Sequence, residues 1–485
     1  GSEIDKRRCL IEKSVYFRHL KDEAHTGYID EKQLLVIKDT MMSTLLEYHY
    51  HIADTEIQNA ILRLNIVIRR LERSFYIQPE ELNITDDLGE ERKLSRDLFI
   101  RLSQKFHIRV TQEEIDYFAI YLKGQCDAQD TEIITKDMDA FVLSAFDQIK
   151  KNFGIDFTGN LNLRIALALH CTPLSIRLKY DMQLKNDMLD YIKQTFPLGY
   201  DIGIAFALQL EEKYGKCLSE AEISLIAIHF YSSLLENNNR KGTRRVLVIS
   251  ALKNSMTMLL RQTLHKWFGS TISKLDFINP MDVEEDTLDE YDVFLTTEKG
   301  QFFENGMAMY IHTFPDNYDY LNMKLMLDGF KNIDSILELF KQDLFFYGKD
   351  WEKTDILRTL CMKASDKYKI PALYGEVLKR EEMGSTYFSK GIAMPHPMHA
   401  VSSDTFVAVY ISEKPVEWDE EGDQINMAVL VCIGKNNPRA FQLWDYFSKV
   451  FADQQFVGKA SHHPGYTRFI AVLKEALKEG IKELE

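Results

Sequence analysis

The sequence predicts a multidomain protein in which two all-α helical bundles precede a small α/β domain and a second α/β or α+β domain. Two observations predict the bundles. Apolar residues recur at helical spacing from about residue 8 to residue 236, and residues 102–115 (LSQKFHIRVTQEEI) return 108 positions later as residues 210–223 (LEEKYGKCLSEAEI). After residue 243, short apolar strands alternate with amphipathic helices, a pattern typical of a parallel sheet. The predicted domains cover residues 8–128, 129–238, 243–332 and 338–485.

The two copies of the repeat share a helix start but differ where chemistry could lie. Both contain a Ser/Thr-x-x-Glu capping box, at 111–114 and 219–222, and an apolar helical run follows each box. Three turns into that run the first copy has Tyr121, whereas the second has His229. Polar stretches at 126–133 and 236–245 predict the ends of the two bundles.

A second pair of segments upstream shows the same difference. LRLNIVIRRL at 62–71 aligns with LHCTPLSIRL at 169–178, which sets Arg63 against His170 and Arg70 against Arg177. The two histidines are 59 residues apart, and Arg63 is 58 residues from Tyr121. A single histidine on an apolar helix usually packs in a core, and that interpretation stays open for each position taken alone. Two histidines at matched repeat positions favour a shared role.

Composition limits the classes of function. The 485 residues carry a formal net charge of −15, which disfavours extended nucleic-acid contact because clustered Lys and Arg must neutralise phosphates. No run of about 18 apolar residues predicts a membrane span. The six cysteines are scattered without a CxxC pair, so we expect a cytoplasmic protein with neither disulfides nor structural zinc. No motif indicates another metal or a cofactor.

The sharpest local motif is Pro395-His396-Pro397, which ends the stretch GEVLKREEMGSTYFSKGIAMPHP. Proline fixes its own φ and restricts the residue before it, so this histidine is held in one backbone approach. Such a histidine could act as a nucleophile toward a phosphoryl group, which requires a neutral ring nitrogen and nearby hydrogen-bond donors. The alternative is a histidine in a tight turn without chemistry.

The motif G-I-A-M-P-H, about a dozen residues after L-K-R-E, resembles the enzyme IIA domain of the fructose–mannitol class in the bacterial sugar phosphotransferase system. The resemblance covers residues 338–485 and implies that His396 is the phosphorylated histidine. It places Ala440 where the family has a second histidine, which argues against efficient onward transfer. His399 is interpreted as a bystander.

The middle domain resembles the enzyme IIB modules of the same system. In those modules a strand ends in a cysteine, and a loop of backbone amides then holds the phosphate on sulfur. Ser250 stands at the cysteine's place in VLVIS-ALKNSMTMLL, Thr257 falls near the family's terminal Ser, and the loop has no glycine. The resemblance therefore implies a degenerate domain that serves contact or relays a conformational change.

The helical pair resembles the PTS regulation domains of bacterial sugar-operon regulators, where each domain typically offers two phosphorylatable histidines. The resemblance implies that His170 (with Arg177 as a supporting residue) and His229 are phosphoacceptors. Phosphorylation adds about two negative charges and can make or break a helix interface. Arg63 and Tyr121 cannot accept phosphate from a histidine-directed donor. Our hypothesis is that the first domain is locked and serves dimerisation, while the second carries the switch.

The chain as a whole resembles the regulatory portion of transcriptional regulators, including activators, of mannitol or lichenan operons. The resemblance implies no turnover, phosphate donation by HPr or a sugar-specific enzyme II component, a homodimer, and DNA contact only through an N-terminal helix-turn-helix region that precedes residue 1. Two alternatives stay open. One is a IIA-type phosphocarrier, and the other is a phosphorylation-independent regulator of the virulence type.

Overall fold

The computed structural model describes residues 1–19, 31–52, 54–125, 134–241, 244–284, 288–304, 306–327, 330–349, 351–389, 391–435, 443–462 and 465–479. These residues divide into two compact units. The first comprises Gly1–Val142, Arg164–Leu184 and Glu211–Leu218; the second comprises Leu143–Leu163, Lys185–Leu210 and Ser219–Glu485. The predicted boundary at 126–133 and the position of Ala440 lie outside the described residues.

Helices account for the regular structure up to residue 241, as the apolar periodicity predicts. They are α1 (Glu3–His19), α2 (Glu31–Glu47), α3 (Asp54–Glu72), α4 (Gly89–Phe106), α5 (Gln112–Gln125), α6 (Lys136–Phe153), α7 (Leu161–Lys179), α8 (Leu189–Thr195), α9 (Pro197–Tyr214) and α10 (Glu220–Lys241).

The first unit combines an apolar helical core with a buried ionic network. Apolar side chains of α2, α3, α4 and α5 fill the core, among them Ile37, Leu64 and Leu98. The Arg7 side chain of α1 is 1% exposed and binds both carboxylate oxygens of Glu114, at 2.5 and 2.9 Å. The first predicted capping box therefore has its glutamate engaged by α1, because a buried guanidinium must have a partner.

The helical part of the second unit is built on aromatic side chains. Phe146 of α6, Phe157, Phe206 of α9 and Phe230 of α10 pack with ring centroids 5.4–6.3 Å apart. At the start of α10, the amide of Glu222 donates to the Ser219 hydroxyl at 3.3 Å, which is the N-cap bond that the second predicted capping box requires. This start positions the α10 face that carries His229.

A four-stranded parallel sheet follows, in the order β2-β1-β3-β4. Its strands are β1 (Arg244–Ile249), β2 (Ile272–Ile278), β3 (Val293–Thr296) and β4 (Met309–Tyr310), and its helices are α11 (Asn254–Phe268), α12 (Gln301–Glu304), α13 (Asn317–Leu327) and α14 (Ile333–Leu337). The apolar strand runs and intervening helices thus form the parallel α/β arrangement that the sequence predicts.

The C-terminal part of the second unit contains a mixed five-stranded sheet, in the order β5-β8-β9-β7-β6. Its strands are β5 (Phe340–Gly348), β6 (Tyr387–Ser389), β7 (Gly391–Ala393), β8 (Phe406–Glu417) and β9 (Gln424–Cys432), with α15 (Lys353–Tyr368), α16 (Leu373–Glu382), α17 (Leu443–Ala452), α18 (Gln454–Ser461) and α19 (Tyr466–Glu479). The pair β8–β9 is antiparallel, and most of its residues are buried. Among the described residues, none of the helices combines the length and apolar character that crossing a membrane requires.

Candidate functional site

His396 is the third residue after the end of β7 and is buried, with 9% of its surface exposed. Its Nδ1 lies 2.8 Å from the carbonyl oxygen of Met394. A carbonyl oxygen can only accept a hydrogen bond, so Nδ1 carries a proton and donates it. In the neutral ring, Nε2 is therefore the nitrogen with the free electron pair, and it is the atom that could act as a nucleophile.

Three side chains from different elements meet at this nitrogen. Asp201 Oδ1 lies 3.0 Å from Nε2, and Arg380 Nε lies 3.1 Å from it. The Trp444 ring packs edge-on against the imidazole, with centroids 4.8 Å apart. Arg380 also donates to Asp201 Oδ1 at 3.2 Å and, through Nη1, to the carbonyl of Gly384 at 3.0 Å. Nε2 is thus enclosed by one carboxylate, one guanidinium and one aromatic ring.

Local sequence explains how each partner is positioned. Arg380 lies in the last turn of α16, where its side chain reaches a loop carbonyl past the helix end. Asp201 lies in the apolar run PLGYDIGIAFAL of α9, so its carboxylate is buried with only 8% exposure. Trp444 is the second residue of α17.

The pKa of Asp201 is lowered although the residue is buried. Burial alone would raise it, but the His396 ring in its protonated form and the Arg380 guanidinium, through their charges and hydrogen bonds, outweigh that effect. Asp201 is therefore a carboxylate in the folded protein. A buried carboxylate needs such cationic partners, since an isolated one would be strongly destabilising.

Sequence reasoning identified His396 but missed Asp201, Arg380 and Trp444 as its neighbours. Asp201 is 195 residues away in the chain, so no local spacing connects the two. A usable signal was nevertheless present, because a single aspartate within an apolar helical run requires a buried partner. Arg380 belongs to the L-K-R-E segment that supported the resemblance, yet the sequence assigned it no role.

Two small cavities adjoin the His396 site, and Asp201, Arg380, His396 and Trp444 line both. His399 is 44% exposed, and its Nδ1 lies 3.4 Å from a carboxylate oxygen of Glu376. Glu376, the residue beside His399, is thus not one of the side chains that meet at His396 Nε2.

His170 and Arg177 lie two turns apart on α7, in the first unit. Arg177 is buried and donates from Nη1 to the carbonyl of Gly124 at 2.7 Å, at the C-terminal end of α5. A cation at a helix C-terminus stabilises the unpaired carbonyls there. Pro173 lies three residues beyond His170 and has no N–H, so the helical bond to the carbonyl of Leu169 is missing beside the histidine.

His229 lies on α10, in the second unit, and is partly buried. Burial lowers its pKa below the usual value of 6.5, because the charged ring is less well solvated there. The ring is therefore mainly neutral near pH 7, which is the state that a phosphoryl acceptor requires.

The residues that replace the histidines in the first repeat contact each other. The guanidinium carbon of Arg63 lies 4.6 Å from the centroid of the Tyr121 ring, in the position of a cation–π pair. The Tyr121 hydroxyl lies 3.4 Å from the carbonyl oxygen of Glu56, and burial raises the pKa of the phenol despite the nearby Arg63. This pair has a fixed positive charge and offers no imidazole.

Ser250 directly follows β1, one of the two inner strands of the parallel sheet. Its hydroxyl is 2.6 Å from that of Thr297, and it accepts from the amide of Leu252 at 3.2 Å. The amide of Ala251 donates to the Glu298 carboxylate at 3.0 Å. A carboxylate of the chain thus occupies a loop amide that could otherwise bind an anion.

Family comparison identifies two kinds of domain in the chain. The PRD domain family matches residues 39–125 and 144–233. The EIIA 2 family of the phosphoenolpyruvate-dependent sugar phosphotransferase system matches residues 338–476. The chain carries PRD domains and an EIIA 2 domain. Arg380, His396 and Trp444 lie in the EIIA 2 domain, and Asp201 lies in the second PRD domain.

Two proteins of Bacillus subtilis (strain 168) are similar to most of the chain. The probable licABCH operon regulator is 22% identical over 455 residues, which cover 91% of this chain and 70% of that protein. The transcriptional regulator ManR is 18% identical over 508 residues, which cover 98% of this chain and 76% of that protein. Among solved structures, the nitrogen regulatory protein IIA-Ntr from Neisseria meningitidis is 15% identical, covers 28% of this chain and 98% of its own, and gives a TM-score of 0.27.

The PRD matches include the positions that the repeat singled out. Arg63 and Tyr121 fall in the first PRD domain, whereas His170 and His229 fall in the second. The parallel sheet with Ser250 lies between the second PRD match and the EIIA 2 match.

Proposed function

We propose that this chain is the regulatory portion of a transcriptional regulator whose activity is set by phosphorylation of histidines through the sugar phosphotransferase system. The observation that carries the proposal is the combination of PRD domains and an EIIA 2 domain, the latter with a buried histidine, His396, whose Nδ1 contacts the Met394 carbonyl oxygen. Both Bacillus subtilis relatives bear regulator names and align with most of the chain, which supports the same function here.

The proposed phosphoacceptors are His170, His229 and His396, with HPr or a sugar-specific enzyme II component as donor. At His396, Arg380 supplies a guanidinium that can bind phosphoryl oxygens. At His229, burial favours the neutral, nucleophilic ring. By the same proposal the chain has no turnover of its own, forms a homodimer in the cytoplasm and contacts DNA only through a region outside this sequence.

The proposed domain layout keeps the sequence prediction: regulation domains at 8–128 and 129–238, a degenerate IIB-like domain at 243–332 and a IIA-like domain at 338–485. The first regulation domain is locked, because Arg63 and Tyr121 form a cation–π pair in place of two imidazoles. The IIB-like domain cannot form a phosphocysteine at Ser250. Its Glu298 carboxylate also repels an incoming phosphate.

The test is phosphopeptide mapping of the full chain after incubation with enzyme I, HPr and labelled phosphoenolpyruvate. We expect label in three peptides, and each of His170→Ala, His229→Ala and His396→Ala should remove one of them. His399→Ala is the matched control and should remove none. Label confined to residues 1–125 contradicts the proposal, and so does transfer of label from His396 to a IIB partner with repeated turnover.

A further inference from the structure

Asp201 lies on the side of His396 from which a phosphoryl group has to arrive. The ring proton is on Nδ1, where it binds the Met394 carbonyl, so attack must come from Nε2. Asp201 Oδ1 lies 3.0 Å from that same nitrogen. An aspartate that only oriented the ring would bind the opposite nitrogen, as in catalytic triads. An ionised carboxylate only accepts, so it binds Nε2 when that nitrogen is also protonated, and both the carboxylate and this proton must leave before Nε2 can attack phosphorus. The carboxylate here is in the position of a competitor.

The contact is part of a larger fit between the second PRD domain and the EIIA 2 domain, inside the second compact unit. Lys193 Nζ lies 2.5 Å from Glu220 Oε2. Glu220 also packs closely against Gly384, where an added β-carbon would lie 1.9 Å from Glu220 Oε1. Lys193 and Tyr200 also line one cavity together with Tyr387 of β6. Contacts between the two domains therefore extend beyond the polar groups at His396.

We propose that the His396 face of the EIIA 2 domain is a docking surface for helix α9 of this chain's own second PRD domain, and that a phosphoryl donor and Asp201 compete for it. The inference rests on the proposed role of His396 as phosphoacceptor, and it adds which segment occupies the site before phosphorylation.

The chemistry of transfer makes the two occupants exclusive. As the bond from Nε2 to phosphorus forms, the phosphorus–nitrogen bond of the donor phosphohistidine breaks. The protonated donor ring takes the bonding electrons and departs as neutral imidazole, while the other proton of His396 stays on Nδ1, hydrogen-bonded to the Met394 carbonyl. The phosphoryl group then holds about two negative charges where the Asp201 carboxylate lay, and both anions draw on the Arg380 guanidinium.

Docking and phosphorylation therefore oppose each other in both directions. If α9 is docked, the donor reaches His396 only in the undocked fraction of molecules, so labelling slows in proportion to that fraction. If His396 is phosphorylated, repulsion releases α9 and changes the PRD domain that contains it. Linkage requires this reciprocity for the equilibrium between the two states.

The experiment compares the full chain with Asp201→Asn, which keeps the side-chain shape and removes the charge. Asp319→Asn is the matched control, because Asp319 is also a buried aspartate of the second unit paired with a histidine, His312 at 3.0 Å. Hydrogen exchange is measured on the unphosphorylated proteins. The rate of His396 labelling by enzyme I, HPr and labelled phosphoenolpyruvate is measured separately.

We expect Asp201→Asn to raise hydrogen exchange in both 197–205 and 391–399 and to label His396 about tenfold faster than the parent chain. Asp319→Asn should change neither quantity. Unchanged exchange in either segment overturns the docking, and a labelling rate that is equal or lower overturns the competition. If exchange rises in both segments but no variant is labelled at His396, the docking stands and the proposed function of His396 fails.

Discussion

Gly384 is a position where the structure leaves no room for a β-carbon. Its φ is +146°, and a β-carbon would lie 1.9 Å from Glu220 Oε1. We expect Gly384→Ala to destabilise the second unit by about 1–3 kcal/mol, because backbone strain and the clash act together. The measurement is the midpoint of thermal unfolding.

Gly375 supplies the matched control, since it lies within α16 and an added β-carbon meets nothing within 4 Å. Gly375→Ala should raise stability by about 0.5–1 kcal/mol through helix propensity. Combining Gly384→Ala with Glu220→Ala should recover the part of the loss that comes from the clash. Equal effects of the two glycine substitutions would show that contact with Glu220 is unimportant.

At the residue scale, the sequence singled out candidate histidines but did not predict what surrounds them. The repeat offset singled out Arg63 and Tyr121, and the structure brings them into contact. The Pro-His-Pro motif singled out His396. Asp201 was missed because its partner comes from tertiary packing of two domains, for which a sequence has no fixed spacing. Glu298 was missed because it lies 47 residues from its partner Ala251 and reaches the Ser250 loop from the segment after β3.

At the scale of secondary-structure elements, α1 is attached to the first unit by buried charges. Arg7 binds Glu114 of α5 and Glu3 of its own helix, and Glu3 in turn binds Arg70 of α3 at 2.6 Å. Arg7→Met should destabilise the unit by about 3–5 kcal/mol, because the buried Glu114 carboxylate loses its charged partner. Hydrogen exchange of the α1 and α5 amides measures this loss. Arg101→Met, which removes an exposed pair with Glu47, is the control and should change exchange little.

The same network fixes the sign of a pH dependence. Burial would raise the pKa of Glu3, but hydrogen bonds and charges from Arg70 and Arg7 lower it below the ordinary 4.5. Because the pKa of Glu3 is lower in the folded state than in the unfolded state, ionised Glu3 stabilises the unit fully at pH values above the unfolded-state pKa. This stabilisation is lost as the pH falls through the folded-state pKa. The α1 amides should therefore exchange faster, relative to the intrinsic rate, as pH falls below about 4.5 in the parent chain. In Arg7→Met the pH dependence of α1 amide exchange should be smaller. An unchanged pH dependence would show that titratable groups other than Glu3 cause it.

Apolar patterns predicted the element types well, because the amphipathic helices bury one apolar face and strands such as β1, β8 and β9 are apolar runs buried on both faces. Helices α3 and α6 and strands β1, β8 and β9 follow the apolar runs closely. The partners of side chains that bridge two elements were harder to predict from the sequence. The first capping box is an example, because Glu114 binds Arg7 across 107 residues. A local motif fixes backbone geometry, whereas its side chain goes to the strongest partner that tertiary packing provides.

At the scale of the whole molecule, the charge of the chain bears on the proposed function. A net charge of −15 gives duplex DNA no attractive long-range field, and phosphorylation of histidines makes the charge more negative. We expect this chain alone not to retard duplex DNA at about 100 mM salt, whether or not it has been phosphorylated, because binding through Z phosphate contacts requires clustered cations and gives a salt slope of about −0.9Z. Mobility shift over a salt series measures this. Retardation that weakens steeply with salt would reveal a basic surface that the net charge conceals, and the proposal that DNA contact requires a further region would then be wrong.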